Sequence, residues 1–138
     1  MQSRQHHTPR LGVLCGALLC SALAQGCKSE PWPEGPAKSS DERLADETWG
    51  SRCAECHGKS GAGDGPRAAL LKAKPRDFTD PTWQAEEQDA ELEAVILLGG
   101  EAMGYSAEMP PNSDLNKYPA VAPLLVRKIR SLNRARPR

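Results

Sequence analysis

Cys53-Ala54-Glu55-Cys56-His57 decides the reading of this 138-residue chain. It has the form C-x-x-C-H, two thiols three positions apart with an imidazole directly after the second. On one helical turn both thiols reach the same edge of a porphyrin, where they form thioethers to its two vinyl groups. The histidine then lies under the iron as an axial ligand. The pattern points to one covalent haem c, with iron as the metal, Cys53 and Cys56 as attachment points and His57 as ligand. A zinc site would need a second pair of ligands, and the other histidines and cysteines, His6, His7, Cys15, Cys20 and Cys27, all lie near the N-terminus. A thioredoxin-like pair would want a βαβ pattern around it, and strand signals are almost absent. A Cys53–Cys56 disulfide would close a very tight loop.

Residues 1–27 have the make-up of a targeting segment. Arg4, His6, His7 and Arg10 form a positive stretch without an acidic residue, and Leu11 to Ala24 is an apolar run of 14 residues, short for a membrane span. Two cleavage sites compete. Ala22-Leu23-Ala24 is a small-x-small site that would release the chain at Gln25. Gly26-Cys27 matches the end of a lipobox, although Ala24 stands where leucine is usual; Cys27 would then be acylated and become the first residue. The lipobox reading is preferred, because a cysteine after a small residue at the end of an apolar run has no other evident use. Either route exports the chain, to the periplasmic side of a bacterial membrane on a lipid anchor or to the soluble periplasm.

Residues 28–40 form a Pro-rich tether that cannot pack a core. Half extended, it would hold the domain roughly 20–40 Å from an anchor. Residues 41–133 are expected to form one all-α domain, followed by a basic tail at 134–138. With one phenylalanine and two tyrosines in the whole chain, a domain this short has little large apolar bulk of its own, and a haem would supply it. A first helix is expected from Ser39 or Ser40, where Ser39-Ser40-Asp41-Glu42 has the capping-box form, through Leu44, Ala45, Thr48 and Trp49 to the C-x-x-C-H motif. A short helix should follow Pro66 over Ala68–Lys72. A third should start at Asp89 as N-cap, carry Leu92, Val95 and Ile96, and stop at Gly99-Gly100. The last should have an irregular start and be regular only from about Pro123, with Val121, Leu125, Ile129 and Leu132 on its apolar face.

The stretch from Trp49 to Leu132 resembles a bacterial class I cytochrome c, a small monohaem electron carrier. The matching pieces are C-A-E-C-H-G at 53–58, G-A-G-D-G-P at 61–66, P-R-D-F at 75–78, G-G-E-A-M-G at 99–104, S-A-E-M-P at 106–110 and I-R-S-L at 129–132. The resemblance implies a helical domain wrapped around one haem, with Cys53 and Cys56 as thioether cysteines and His57 as proximal ligand. It implies that the carbonyl of Pro66 accepts the His57 Nδ1–H, and that Gly61, Gly63 and Gly65 let the backbone turn beside the porphyrin. It also implies a methionine as sixth ligand. Met109, followed by Pro110 and Pro111 and 52 residues after His57, is preferred over Met103, which stands where the family has an ordinary apolar residue. One departure concerns the last helix, where Lys128 replaces a usual aromatic and Trp49 is expected to supply the missing bulk.

Charge is uneven along the chain. Glu86, Glu87, Asp89, Glu91 and Glu93 cluster at the third helix, and Arg127, Lys128, Arg130, Arg134, Arg136 and Arg138 make the C-terminus basic. Such a dipole would orient docking to a redox donor and acceptor, or bring the tail to anionic lipid. Nucleic acid and small-molecule substrates are not expected partners. The expected function is electron transfer with His/Met ligation, not catalysis. The alternatives are a permanently bound haem subunit of a respiratory complex and a haem enzyme or sensor with a labile sixth ligand.

Overall fold

The computed structural model describes residues 37–135. The leader, Cys27, most of the tether, Arg136 and Arg138 lie outside the described residues. Among the described residues the regular secondary structure is all helical, with no strand.

Helix α1 (Ser40–Thr48) starts at a complete capping box. The Ser39 hydroxyl accepts the Glu42 N–H at 3.2 Å and the Glu42 carboxylate accepts the Ser39 N–H at 2.8 Å, satisfying two donors that a helix start leaves open. The helix does not run evenly into the C-x-x-C-H motif. Trp49–Cys53 forms a π-helical turn, in which Ala54 donates back to Trp49, before α2 (Ala54–His57) resumes α geometry. One extra residue in the turn rotates the next helical turn about the axis. Ala45, Thr48 and Trp49 can therefore face the core while Cys53, Cys56 and His57 line a cavity.

The glycine-rich loop after α2 folds back on the motif. Gly63 donates to the His57 carbonyl at 2.8 Å. Its φ is +73°, and a Cβ there would stand 2.5 Å from the Pro75 carbonyl oxygen, so only glycine fits. Phe78 donates to the Gly61 carbonyl at 2.7 Å, which seats the Pro75-Arg76-Asp77-Phe78 segment beside α2. The helix expected after Pro66 is a single 3₁₀ turn, Ala68–Leu70; no buried residue anchors it, and Leu70 is exposed.

Helix α3 (Pro81–Glu86) was not anticipated from the apolar pattern. Asp80 caps it by accepting from Thr82 and Trp83, and Pro81 occupies its first turn, where a missing N–H costs nothing. In α4 (Asp89–Leu98), Asp89 is the first helical residue and not the N-cap; Gln88 caps without a side-chain bond. The Asp89 carboxylate is instead bound by Arg130 at 2.8 Å. Helix α4 ends at Gly99 with φ +82°. Short 3₁₀ turns at Glu101–Met103 and Ser113–Lys117 lead to α5 (Val121–Ser131). This last helix begins two residues before Pro123 and is regular across it, because the N–H groups of a first turn have no intrahelical partner to lose.

Helix α5 packs on both α1 and α4. Val121, Ala122, Leu125, Val126 and Ile129 are buried against Ala45, Trp49, Leu92, Ile96 and Leu115. The Lys128 ammonium lies 6.0 Å from the Trp49 ring centre, so the tryptophan does supply an aromatic face at the α1–α5 contact, capped by a cation. Among the described residues no buried side-chain polar atom lacks a partner.

Candidate functional site

A cavity of about 360 Å³ opens between the motif, the loop before α3, α4 and the segment after α4. That volume lies in the range of small-molecule and cofactor sites. Phe78, Trp83, Leu92, Val95, Ile96 and Ile129 make its walls apolar. Cys53, Cys56 and His57 line it from the helical turn, and Met109 lines it from the loop after α4. Met103 and Pro66 do not contribute to its lining.

His57 is held in a defined tautomer. Its Nδ1 lies 3.1 Å from the Arg76 carbonyl oxygen. A carbonyl can only accept, so Nδ1 carries the proton and Nε2 keeps its lone pair. The partner is thus Arg76 in place of Pro66, which is exposed in the turn after the glycine loop. The reason is the path of the chain: Gly61 and Gly63 bond the P-R-D-F segment and the histidine backbone into one fold-back. Burial lowers the pKa of His57 below its ordinary 6.5, against the opposing pull of the Arg76 carbonyl. The net result is a neutral imidazole with a free Nε2 at neutral pH, the state a metal ligand needs. The Phe78 ring stacks on the imidazole, with ring centres 4.3 Å apart and planes 16° from parallel.

Cys53 and Cys56 are free thiols. Burial pushes the Cys53 thiol up to about 11, with Arg52 pulling the other way and Cys56 adding to the rise. Redox-active C-x-x-C pairs work through a depressed thiol pKa, and Cys53 is shifted in the opposite sense. Among the described residues no group of three or more His, Cys, Asp and Glu side chains gathers around a common point as a metal cage.

No protein-family model, curated protein or solved structure matches this chain. The site therefore rests on its own chemistry. Two thiols, one neutral imidazole and one thioether on an apolar cavity fit a covalently held porphyrin iron better than a bare cation.

Several residues that shape the site carry no motif signal. Gln84 is buried, and its amide donates to the carbonyls of Phe78 at 2.7 Å and Ile129 at 2.8 Å. Arg130 donates to Gln84 Oε1 and to the Gln84 and Glu87 carbonyls. Of the basic C-terminal run, Arg130 is thus consumed inside the fold, and Arg134 pairs with Asp77 at 3.4 Å. Arg52 grips Asp114 with two bonds of 2.9 Å. The Glu108 carboxyl sits below its ordinary range because the Lys72 and Ala73 N–H groups donate to it. Gly100 donates to the Met109 carbonyl at 2.9 Å, and a side chain at Gly100 would strike the Ser106 carbonyl. The adjacent glycines Gly99 and Gly100 were readable as a helix stop, but not as the seat of the methionine loop. Among the described residues no helix is long and apolar enough to cross a membrane.

Proposed function

We propose that this protein is a monohaem c-type electron carrier. The observation that carries the reading is the convergence of Cys53, Cys56, His57 and Met109 on one apolar cavity whose lining excludes Met103. Cys53 and Cys56 would hold the porphyrin through thioethers, and His57 and Met109 would be its two axial ligands. Haem iron bound by an imidazole and a thioether exchanges one electron at a time, has a raised reduction potential and offers no position to a substrate.

The protein's own contribution is to prepare the ligands and exclude water. The Arg76 carbonyl fixes the imidazole tautomer and raises its basicity. Phe78 and Trp83 close the apolar wall, with the Trp83 indole N–H bonded to Glu87 at 2.8 Å. Gly100 holds the backbone of Met109. The partners would be an exported redox donor and acceptor. The chain would be tethered to the periplasmic side of a membrane through Cys27, which lies outside the described residues.

A haem stain on a denaturing gel, a pyridine haemochrome spectrum and the far-red sulfur-to-iron absorption of the ferric protein test this reading together. All three should be positive. A covalent haem without the far-red absorption, freely binding added ligands, would instead make the protein a haem enzyme or sensor. Recovery from membranes only within a larger complex would make it a fixed subunit, and an unmodified Gln25 N-terminus would make it a soluble carrier.

A further inference from the structure

The loop that carries Met109 is held on two sides by different means. Toward α4 the bonds are mainly backbone ones: Gly100 N–H to the Met109 carbonyl at 2.9 Å, Tyr105 N–H to the Gly100 carbonyl at 2.8 Å, and Asn112 N–H to the Ile96 carbonyl at 3.2 Å. Toward the loop before α3 the link is a single side chain. Both carboxylate oxygens of Glu108 accept the Lys72 N–H at 3.0 Å, and one also accepts the Ala73 N–H at 3.1 Å. Ser106 steadies that carboxylate, its hydroxyl donating to it at 3.3 Å and accepting the Glu108 N–H at 3.2 Å. Among the described residues the Glu108 bonds to Lys72 and Ala73 are the hydrogen bonds that join the 71–75 loop to the 105–110 loop. Both loops line the cavity, through Leu71, Ala73 and Pro75 on one and Tyr105, Glu108 and Met109 on the other.

We propose that Glu108 is a positioning residue for Met109: its carboxylate straps the methionine loop to residues 72–73 and so keeps the thioether from swinging away and admitting another ligand. The inference rests on the electron-carrier reading, because it assigns Met109 as the ligand to be held. The neighbouring peptide bonds transmit the strap directly, since Glu108 precedes Met109 and Pro110 stiffens the chain after it. A carboxylate suits the task because it can accept from two successive N–H groups at once. The amide introduced by Glu108→Gln offers one accepting oxygen, and the methyl group of Glu108→Ala offers none.

The test uses the full haem-loaded chain and its Glu108→Ala and Glu108→Gln variants. Imidazole is titrated into the ferric proteins while the far-red absorption is followed, and amide hydrogen exchange is measured at Lys72, Ala73 and the core residue Leu92. Glu108→Ala should bind imidazole about three- to tenfold more tightly, the scale of a modest net hydrogen-bond contribution. Glu108→Gln should fall between, and the absorption should persist in all three before imidazole is added. Exchange at Lys72 and Ala73 should quicken while Leu92 stays protected. Faster exchange with unchanged imidazole affinity would overturn the proposal and leave Glu108 a loop fastener only. Unchanged exchange and affinity would overturn it entirely. If the wild-type protein itself lacks the far-red absorption, the electron-carrier reading fails and the proposal with it, while the exchange data still report whether the strap exists.

Discussion

Replacing Arg130 by alanine should cost far more stability than replacing any other cation near the C-terminus. The Arg130 side chain is 20 % exposed and serves Asp89 at 2.8 Å, the Gln84 carbonyl at 2.7 Å, Gln84 Oε1 at 3.0 Å and the Glu87 carbonyl at 2.6 Å. A hydrogen bond to a charged group contributes about 1.5–3 kcal/mol on its own, but the four share one side chain and do not add. Asp89 is 66 % exposed, so that pair contributes little. The decisive losses are the two backbone carbonyls and the Gln84 oxygen, left without their donor beside a buried amide. Together they put the cost at about 2–4 kcal/mol, a large part of the about 5–15 kcal/mol typical of a domain. Urea unfolding of the haem-loaded protein should show the midpoint falling by about 1–2 M with the slope unchanged. Two controls sharpen the result. Arg134→Ala, which removes an exposed pair at 3.4 Å, should cost about 0.5 kcal/mol or less, and Asp89→Ala should stay close to wild type. An Arg130→Ala midpoint no lower than that of Arg134→Ala would refute the reasoning and return Arg130 to the solvated basic run.

Met109→Ala should abolish the far-red absorption and let imidazole bind, while Met103→Ala keeps the spectrum and loses about 1–3 kcal/mol of packing; the reverse pattern would exchange the two assignments. Replacing Cys53 and Cys56 together by alanine should remove the haem stain and much of the far-ultraviolet helical signal, since the apolar cavity would lose the body that fills it. Gly100→Ala should weaken or remove the far-red absorption without touching either ligand, because the new methyl group meets the Ser106 carbonyl. Asp77 has its pKa lowered from 3.8, chiefly by the Thr79 hydroxyl; its contribution is present above that ordinary value and is lost as pH falls through the lower folded one. Asp77→Asn should therefore lower stability at neutral pH and flatten the acid limb of a stability–pH profile.

The capping box at Ser39, the helical faces of α1, α4 and α5, and the stop at Gly99 were legible because each is local chemistry written in adjacent residues. Helix α3 carried a readable signal too, in Asp80-Pro81, but its six residues are too few to show an apolar period. The π-turn at Trp49–Cys53 left no trace in composition, since it depends on how α1 and the motif must face different neighbours. The choice of Arg76 over Pro66 as partner of His57 turns on a fold-back by Gly61 and Gly63 that spacing alone does not reveal. Gln84, Arg130 and Glu108 were illegible for the same reason. Their acceptors and donors are backbone groups more than 30 residues away in several cases, and backbone groups carry no sequence signature.

The two candidate ligands are secured by separate devices, and that separation has a physical consequence. His57 is fixed through a chain that runs from Arg130 on α5 to Gln84 on α3, from Gln84 to the Phe78 carbonyl, and from the same P-R-D-F segment to the imidazole. Gln84 and Phe78, the middle links, are buried among the packed helices, so moving the segment that holds the imidazole means disturbing the core. Met109 hangs instead from the glycines that end α4 and from the half-exposed Glu108 strap. Gly99 and Gly100 are buried, so the part of this anchoring nearest solvent is the Glu108 strap, which lies at the low end of local stability. A perturbation at the cavity rim should thus free the thioether while leaving the imidazole in place. The reverse, a lost imidazole with a bound thioether, would require the more costly half of the structure to yield first.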